Sequence, residues 1–403
     1  MTATSRSRLV VGGTSLTLLL FCAHFFNDLF AGTLAALLPT LQLRFDASAL
    51  LLAAFVATLS FSSSMLQPLF GAVADRVGRR VVAAGGVITS SAILSVMGIM
   101  PSPWLLLPLL LVGGLGSAAF HPAGISLARS AVTRNRGLAM GIFSAGGTFG
   151  MAMGPLVIGL LLINDRLHLS PWLMAPGLLL GLLIFLLVPP QPRDPASHKS
   201  KLFDLELFRG PVGRLCLAGV LRSISWTAMI NGAPLWLVHA RGLGTANPTL
   251  FLTVTTFTIS GALGGILSGL VEQRFSRQSL VTGSMLAAIV PLVVMLVSTP
   301  GSALYYLCVA LAGTLINGGL PIMVVTAQDM APHAIATVSG MMMGLTWGVA
   351  GVLYLGIGAL QGAIGMNAAM VLSIVPLLPG ALIAYRVLTS WTTVAVSMPT
   401  KAP

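Results

Sequence analysis

The chain has 403 residues, of which 56% are apolar and 7% charged, where a soluble globular chain carries about 25% charged residues. That excludes most soluble enzyme classes, and at about 20 apolar residues per bilayer crossing the length suits roughly twelve crossings. The formal charge of +12, from 21 Lys and Arg against 9 Asp and Glu, forms no basic cluster interleaved with aromatics, which argues against nucleic acid and for basic loops beside an anionic leaflet.

Apolar runs and breakers predict spans at 16–41, 49–74, 81–100, 103–128, 137–163 and 170–189, then at 212–238, 249–271, 279–298, 301–328, 336–362 and 367–388. The first run follows Arg6 and Arg8 as a signal peptide would, but it stays apolar far beyond the roughly 7–15 residues of such a segment and reads as a retained helix. Of the 21 basic residues, 17 fall in loops and tails on one side of this zigzag; only Arg44, Arg166 and Arg241 fall on the other, and Arg222 lies inside a span. Cytoplasmic loops carry the excess, so both termini are expected in the cytoplasm of a multi-pass protein of the inner or plasma membrane. Cys22, Cys216 and Cys308 are scattered through apolar runs without metal-ligand spacing.

The fold class expected is an all-α polytopic membrane protein of twelve helices in two pseudo-symmetric halves. The expected domains are a six-helix bundle over 1–189, a cytoplasmic linker over 190–211, and a second bundle over 212–403. The piece Leu202–Phe208 within the linker reads either as a helix lying on the membrane surface or as a solvated connector. A weak internal repeat agrees with duplication. Gly71-Ala-Val-Ala-Asp75 matches Ser268-Gly-Leu-Val-Glu272 and Arg80 matches Arg277 at an offset of 197, while His121-Pro122 meets Leu320-Pro321 and Gly141 meets Gly340 at 199.

With these features the chain resembles the major facilitator superfamily over essentially its whole length. The segment GAVADRVGRR, Gly71 to Arg80, fits that superfamily's G-x-x-x-D-R-x-G-R-R signature between spans two and three. GMAMGPLVIG, Gly150 to Gly159 in span five, is similar to the G-x-x-x-G-P motif of drug/proton antiporters. AHFFNDLFAGTLAALLPTL, LQPLFGAVADR and GLGSAAFHPAGISLARSA resemble stretches of fosmidomycin-resistance-type exporters, with Ala123 where those often carry an acid.

The resemblance implies a conformational gate in Gly71, Asp75, Arg76, Gly78, Arg79 and Arg80. A carboxylate is disfavoured at a helix C-terminus by the helix dipole, so Asp75 is expected to face Arg79, Arg80 or the N-terminus of a neighbouring helix, for which the resemblance suggests span eleven, closing the cytoplasmic side in an outward-facing state. Topology-setting charges in a solvated loop are the alternative. Gly150, Gly154, Pro155 and Gly159, with Gly146 and Gly147, give span five a small-residue face and a bend, expected to pack against span eight.

Asp28 and Arg222 are the two charges well inside spans, and each costs about 2.5–3.5 kcal/mol there on insertion scales. From the span starts they lie at depths of roughly 18 and 15 Å in a core about 30 Å thick, near enough in level to pair across a central cavity. His24 is one turn from Asp28 on the same face, and His121 lies at a comparable depth. The expected proton-coupling residues are Asp28, His24 and His121; the expected substrate-binding residues are Arg222, Asn27, Trp226 and Asn317. Hydrogen bonding of the histidines to neighbouring helices and ordinary packing of Trp226 are the plainer readings. His24, Asp28 and His121 can also be written as metal ligands, but with no second site no metal is assigned.

No complete phosphate-binding G-x-x-x-x-G-K-[ST] loop and no serine–histidine or paired-acid constellation occurs. A transporter, not an enzyme, is therefore expected, without cofactor, driven by the proton gradient and working as a monomer in the lipid bilayer. Its partners are protons and a small-molecule substrate. The leading reading is proton-coupled efflux of a small toxic or drug-like compound, anionic ones included, by alternating access; the runner-up is proton-coupled uptake of a small organic anion.

Overall fold

A computed structural model describes residues 13–131, 136–190 and 205–397, and every regular element among them is helical. The first group comprises α1 (Gly13–Phe45), α2 (Ala49–Ser60), α3 (Gln67–Val77), α4 (Arg79–Leu94), α5 (Pro103–Ala131), α6 (Arg136–Ile163) and α7 (Met174–Leu187). After the short α8 (Leu205–Arg209) come α9 (Pro211–His239), α10 (Pro248–Val271), α11 (Arg277–Val297), α12 (Ala303–Gly318) and α13 (Leu320–Met330). The chain ends with α14 (Ile335–Gly340), α15 (Thr346–Ile364), α16 (Met366–Leu372) and α17 (Leu377–Ser397).

Ten of these helices, some continued through a short turn, are long and apolar enough to cross a membrane, and the pair α2–α3, bent by 42°, makes an eleventh. The remaining predicted span is α9, whose apolar run is interrupted by Arg214, Arg222 and Asn231. It is nonetheless 29 residues long and packs among α1, α10, α15 and α17, so it occupies the seventh crossing of the expected twelve. The bend after α2 has a local cause: a π-helical turn at Phe61–Met65 precedes Pro68 in the first turn of α3, and proline removes a helical hydrogen bond. A second π-turn, Met341–Leu345, joins α14 to α15 and touches the first.

Helix ends follow capping chemistry. Ser48, Asn247, Ser276 and Ser302 accept hydrogen bonds from the first turns of α2, α10, α11 and α12, satisfying amides that have no intrahelical partner. Gly78 joins α3 to α4 at φ 117°, a conformation that residues with a Cβ rarely adopt.

Within the first group α1 packs on α4, α5, α6 and α7; within the second α9 packs on α15 and α17, and α10 on α12. The hydrophobic core shows how the groups meet. One cluster runs through both of them, from Leu29, Leu52 and Leu106 to Trp236, Phe251 and Tyr354. Toward the end of the molecule that carries Arg79, Arg129 and Arg277, here termed the basic end, it is replaced by two separate clusters. One holds Leu16, Phe120 and Phe143, and the other Val212, Met323 and Leu388. Among the described residues the groups share one core at the opposite end and have separate cores at the basic end.

The seam that joins them is built from glycine. On α15 and the turn before it, Gly344, Gly348, Gly351 and Gly358 face Ser64, Met65, Ser60 and Ala53 of the second crossing, and a Cβ on Gly358 would stand 2.8 Å from the Ala49 carbonyl oxygen. His239 Nε2 and Gln42 Oε1, 2.6 Å apart, close the far end. Of the predicted linker, 191–204 lies outside the described residues. Leu207 of α8 is buried with Val212 and Leu215, so this part of Leu202–Phe208 packs onto the start of α9.

Candidate functional site

Asp28 sits midway along α1, and its carboxylate is held by side chains of two helices, α1 and α5. His24, one turn earlier, places Nε2 at 3.2 Å from Oδ2. His121 of α5 places Nε2 at 3.3 Å from Oδ1. Asn27 donates its amide to the same Oδ1 at 2.8 Å and to Ser117 Oγ at 3.0 Å, and its carbonyl accepts from Ser90 of α4 at 2.8 Å. The side chains of His24 and Asp28 are 9% and 11% exposed, whereas that of His121 is 19% exposed, so His121 is the open side of the cluster.

Ring orientation is set by backbone. His24 Nδ1 lies 2.7 Å from the Phe143 carbonyl oxygen of α6, and His121 Nδ1 lies 2.8 Å from the Ser117 carbonyl oxygen. A carbonyl only accepts, so Nδ1 donates at both rings and both Nε2 atoms turn to the carboxylate. The His24 ring stacks on Phe143 with centroids 4.2 Å apart. The ligand atoms of His24, Asp28 and His121 all lie within 4.8 Å of one another, a set that a metal ion also accepts, but each Nε2 meets a different carboxylate oxygen, as in two separate ion-pair contacts.

This geometry depends on the glycine face of α6. Gly146, Gly150 and Gly154 lie against the Phe21, Phe25 and Leu29 carbonyls of α1, and Gly32 of α1 returns the contact onto Met151 and Pro155. The face expected to pack on span eight therefore packs chiefly on span one, because glycine offers closest approach to any neighbour and does not encode which. Only Gly159 reaches the eighth crossing, against Phe251, and Thr255 of α10 donates to the Ala152 carbonyl at 2.7 Å.

Arg222 on α9 is fully buried. Its Nη1 donates to Asn317 Oδ1 at 3.0 Å and to the Ile316 carbonyl at 3.4 Å, its Nη2 donates to Ser223 at 2.9 Å, and its Nε has no partner. The pairing with Asp28 that depth suggested is absent among the described residues: Asp28 is engaged by the two imidazoles, and Arg222 points to α12. Asn317 is anchored in turn by donating to the Gly261 carbonyl at 3.1 Å. Trp226, one turn beyond Arg222, lies over Gly261, with its ring 4.6 Å from Phe257 and 6.2 Å from Trp347, and neither indole N–H has a partner.

Asn27, expected at the substrate, is instead 1% exposed with its amide committed to Asp28, Ser117 and Ser90; it positions the carboxylate. Asp75 pairs with Arg79 at 3.1 Å, one of the partners expected for it. Arg80 donates to the Val188 carbonyl at 3.1 Å and lies over Phe185. Arg76 is exposed, and Gly71 lies near Pro122 of α5. The equivalent turn of the second group is more tightly tied: Arg277 meets Glu272 at 2.7 Å and Asp329 at 2.6 Å. Ser90 and Ser117 were missed from sequence, where nothing distinguishes them from other small residues in helices, and Gly147 was legible only as part of the small-residue face of span five, not as the cover of the carboxylate. The α15 glycine spacing was legible and overlooked.

The family model described as Major Facilitator Superfamily matches residues 20–355. The chain is 27% identical over 365 residues to the MFS-type transporter YfnC of Bacillus subtilis (strain 168), covering 86% of this chain and 87% of the relative. It is 25% identical over 338 residues to the fosmidomycin resistance protein of Escherichia coli (strain K12), covering 82% of each. Among solved structures, a bacterial homolog of the human lysosomal transporter Spinster, in an inward-facing and occupied conformation, superposes with a TM-score of 0.79 at 17% identity, over 94% of this chain and 97% of that one.

Proposed function

Since the chain belongs to the Major Facilitator Superfamily, and so is a multi-pass transporter of small molecules and not an enzyme, we propose that it is a proton-coupled exporter, exchanging inward proton flow for efflux of a small toxic or drug-like compound. The observation that carries this reading is the Asp28 carboxylate held between His24 and His121 beside the parting of the two groups. An intramembrane carboxylate is costly when ionised without a partner and cheap when neutralised, so protons entering at this level change what the cleft can hold. Taking the basic end as cytoplasmic, by the distribution of Lys and Arg, the conformation is inward-open and the α2–α15 seam is the closed outer gate. Rocking of one six-helix bundle against the other about the Asp28–Arg222 level then supplies alternating access.

Electrostatic sign separates this from a second reading. An ionised Asp28 attracts a cationic or hydrogen-donating compound and a protonated one releases it, which is direct competition and therefore antiport. An anion drawn to Arg222 is instead favoured when the Asp28 cluster is protonated, and the two travel together. Arg222, Trp226 and Trp347 present only N–H donors, without a carboxylate, and this favours proton-coupled uptake of a small organic anion as the alternative.

Growth of an efflux-deficient host across a compound panel including phosphonates, with empty vector, the native chain and Asp28→Asn at equal membrane levels, tests the proposal. Protection by the native chain and its loss in Asp28→Asn supports proton-coupled efflux. Sensitisation by the native chain, or protection undiminished in Asp28→Asn, overturns it.

A further inference from the structure

The hydrogen-bond partners of the two histidines limit how many protons the cluster can hold. The Phe143 and Ser117 carbonyls each take the Nδ1–H of one ring, 2.7 and 2.8 Å away. A neutral imidazole has a single N–H, so in the neutral state both Nε2 atoms carry bare lone pairs. Each faces a different oxygen of one carboxylate, at 3.2 and 3.3 Å. With no proton between them, two lone pairs oppose an anion. One proton converts one contact into a hydrogen bond and leaves the other repulsive. A second satisfies both.

We propose that His24, Asp28 and His121 form a two-proton site, one proton per histidine–carboxylate contact, whose net charge runs from −1 when empty to +1 when full. The proposal rests on the proton-coupled reading and adds its stoichiometry.

The surroundings favour filling both positions. Asn27 donates to Oδ1, with its own orientation held by Ser90 and Ser117, so that oxygen stays an acceptor and the proton of its contact belongs on His121. Gly147 of α6 brings only backbone to the His24 side. From α1, α4, α5 and α6, which pack around the cluster, no further charged or titratable side chain among the described residues meets it, and Arg222 is turned to Asn317. No other group therefore neutralises the carboxylate or takes either proton in its place. His121, the most exposed of the three, is the entry point, and His24 is filled through the carboxylate behind it.

The test needs no substrate. Purified full-length protein labelled with 15N-histidine is titrated by NMR, the two rings being assigned by His24→Gln and His121→Gln, while the carboxylic C=O infrared band is assigned by its loss in Asp28→Asn. Expected are Nδ1–H tautomers at both rings at high pH, and uptake of two protons by the three groups as the pH falls. A total of one proton, or an Nε2–H tautomer at either ring, overturns the two-proton site. Proton-gradient-driven flux is read separately in proteoliposomes: its absence alongside an intact two-proton titration would defeat the coupling reading and leave the site standing. Because glutamine can replace one hydrogen bond, His121→Phe serves as a second variant, and in it the count drops from two protons to one if the proposal holds.

Discussion

A Cβ on Gly147 of α6 would stand 2.7 Å from Asp28 Oδ2 on α1, inside contact distance of a carboxylate that is itself 3.2 Å from His24. The absence of a side chain at Gly147 is what lets a third helix cover the cluster without intruding on it.

Gly147→Ala is therefore expected to insert and fold with a modest stability loss, about 1–3 kcal/mol as for other overpacked sites, read as a lower melting temperature in detergent. Transport should fall at least about tenfold, since a misplacement of about 1 Å at a reacting group costs on the order of 100-fold. Gly141→Ala on the same helix, where a Cβ meets nothing within 4 Å, is the control and should leave both measurements unchanged.

Arg222 is a buried cation with no carboxylate partner among the described residues. Arg222→Met removes a desolvated charge while keeping the packing of its stem, and replacing buried charge with apolar volume is commonly neutral or stabilising by about 1–4 kcal/mol. The expected result is a melting temperature equal to or above the native one together with loss of transport. A lower melting temperature would mean that the Asn317 and Ser223 bonds at 3.0 and 2.9 Å hold the second bundle together.

The glycine seam predicts a conformational shift. Gly351 faces Ser60 at backbone-to-side-chain distance, and Gly351→Leu should pry α15 from α2, weakening closure at the end where Gln42 meets His239. Spin labels at Leu43 and Ala240 should report a longer distance in this variant than in the native chain. An unchanged distance distribution would show that closure does not depend on this contact.

Asp75 and Arg79 form a half-exposed pair, 27% and 32% accessible, of the kind worth about 0–1 kcal/mol. Asp75→Asn should leave the melting temperature nearly unchanged. Transport lost in spite of that would assign Asp75 to a contact made only when the basic end closes; full transport would leave it as a topology-setting charge.

The amino-acid sequence alone determined the apolar helices, the gathering of the basic turns at one end, and the placing of Asp28 and Arg222 well inside their helices. These depend on hydropathy along one dimension and on a fixed rise per residue. It also determined that His24 and Asp28 share a face, because that pair is one helical turn apart. Which helices meet was decided only by tertiary structure. In a bilayer the lipid is as apolar as the helix surface, so partners are chosen by close packing of small residues and by polar groups, not by a hydrophobic contrast that a sequence displays. So the α6 glycines could not announce that they lie on α1, nor Asn27 that Ser90 and Ser117 would claim its amide. Arg222 and Asp28, expected at similar depths, were free to pair on paper. In the folded chain the imidazoles reach the carboxylate first, and the guanidinium turns to α12.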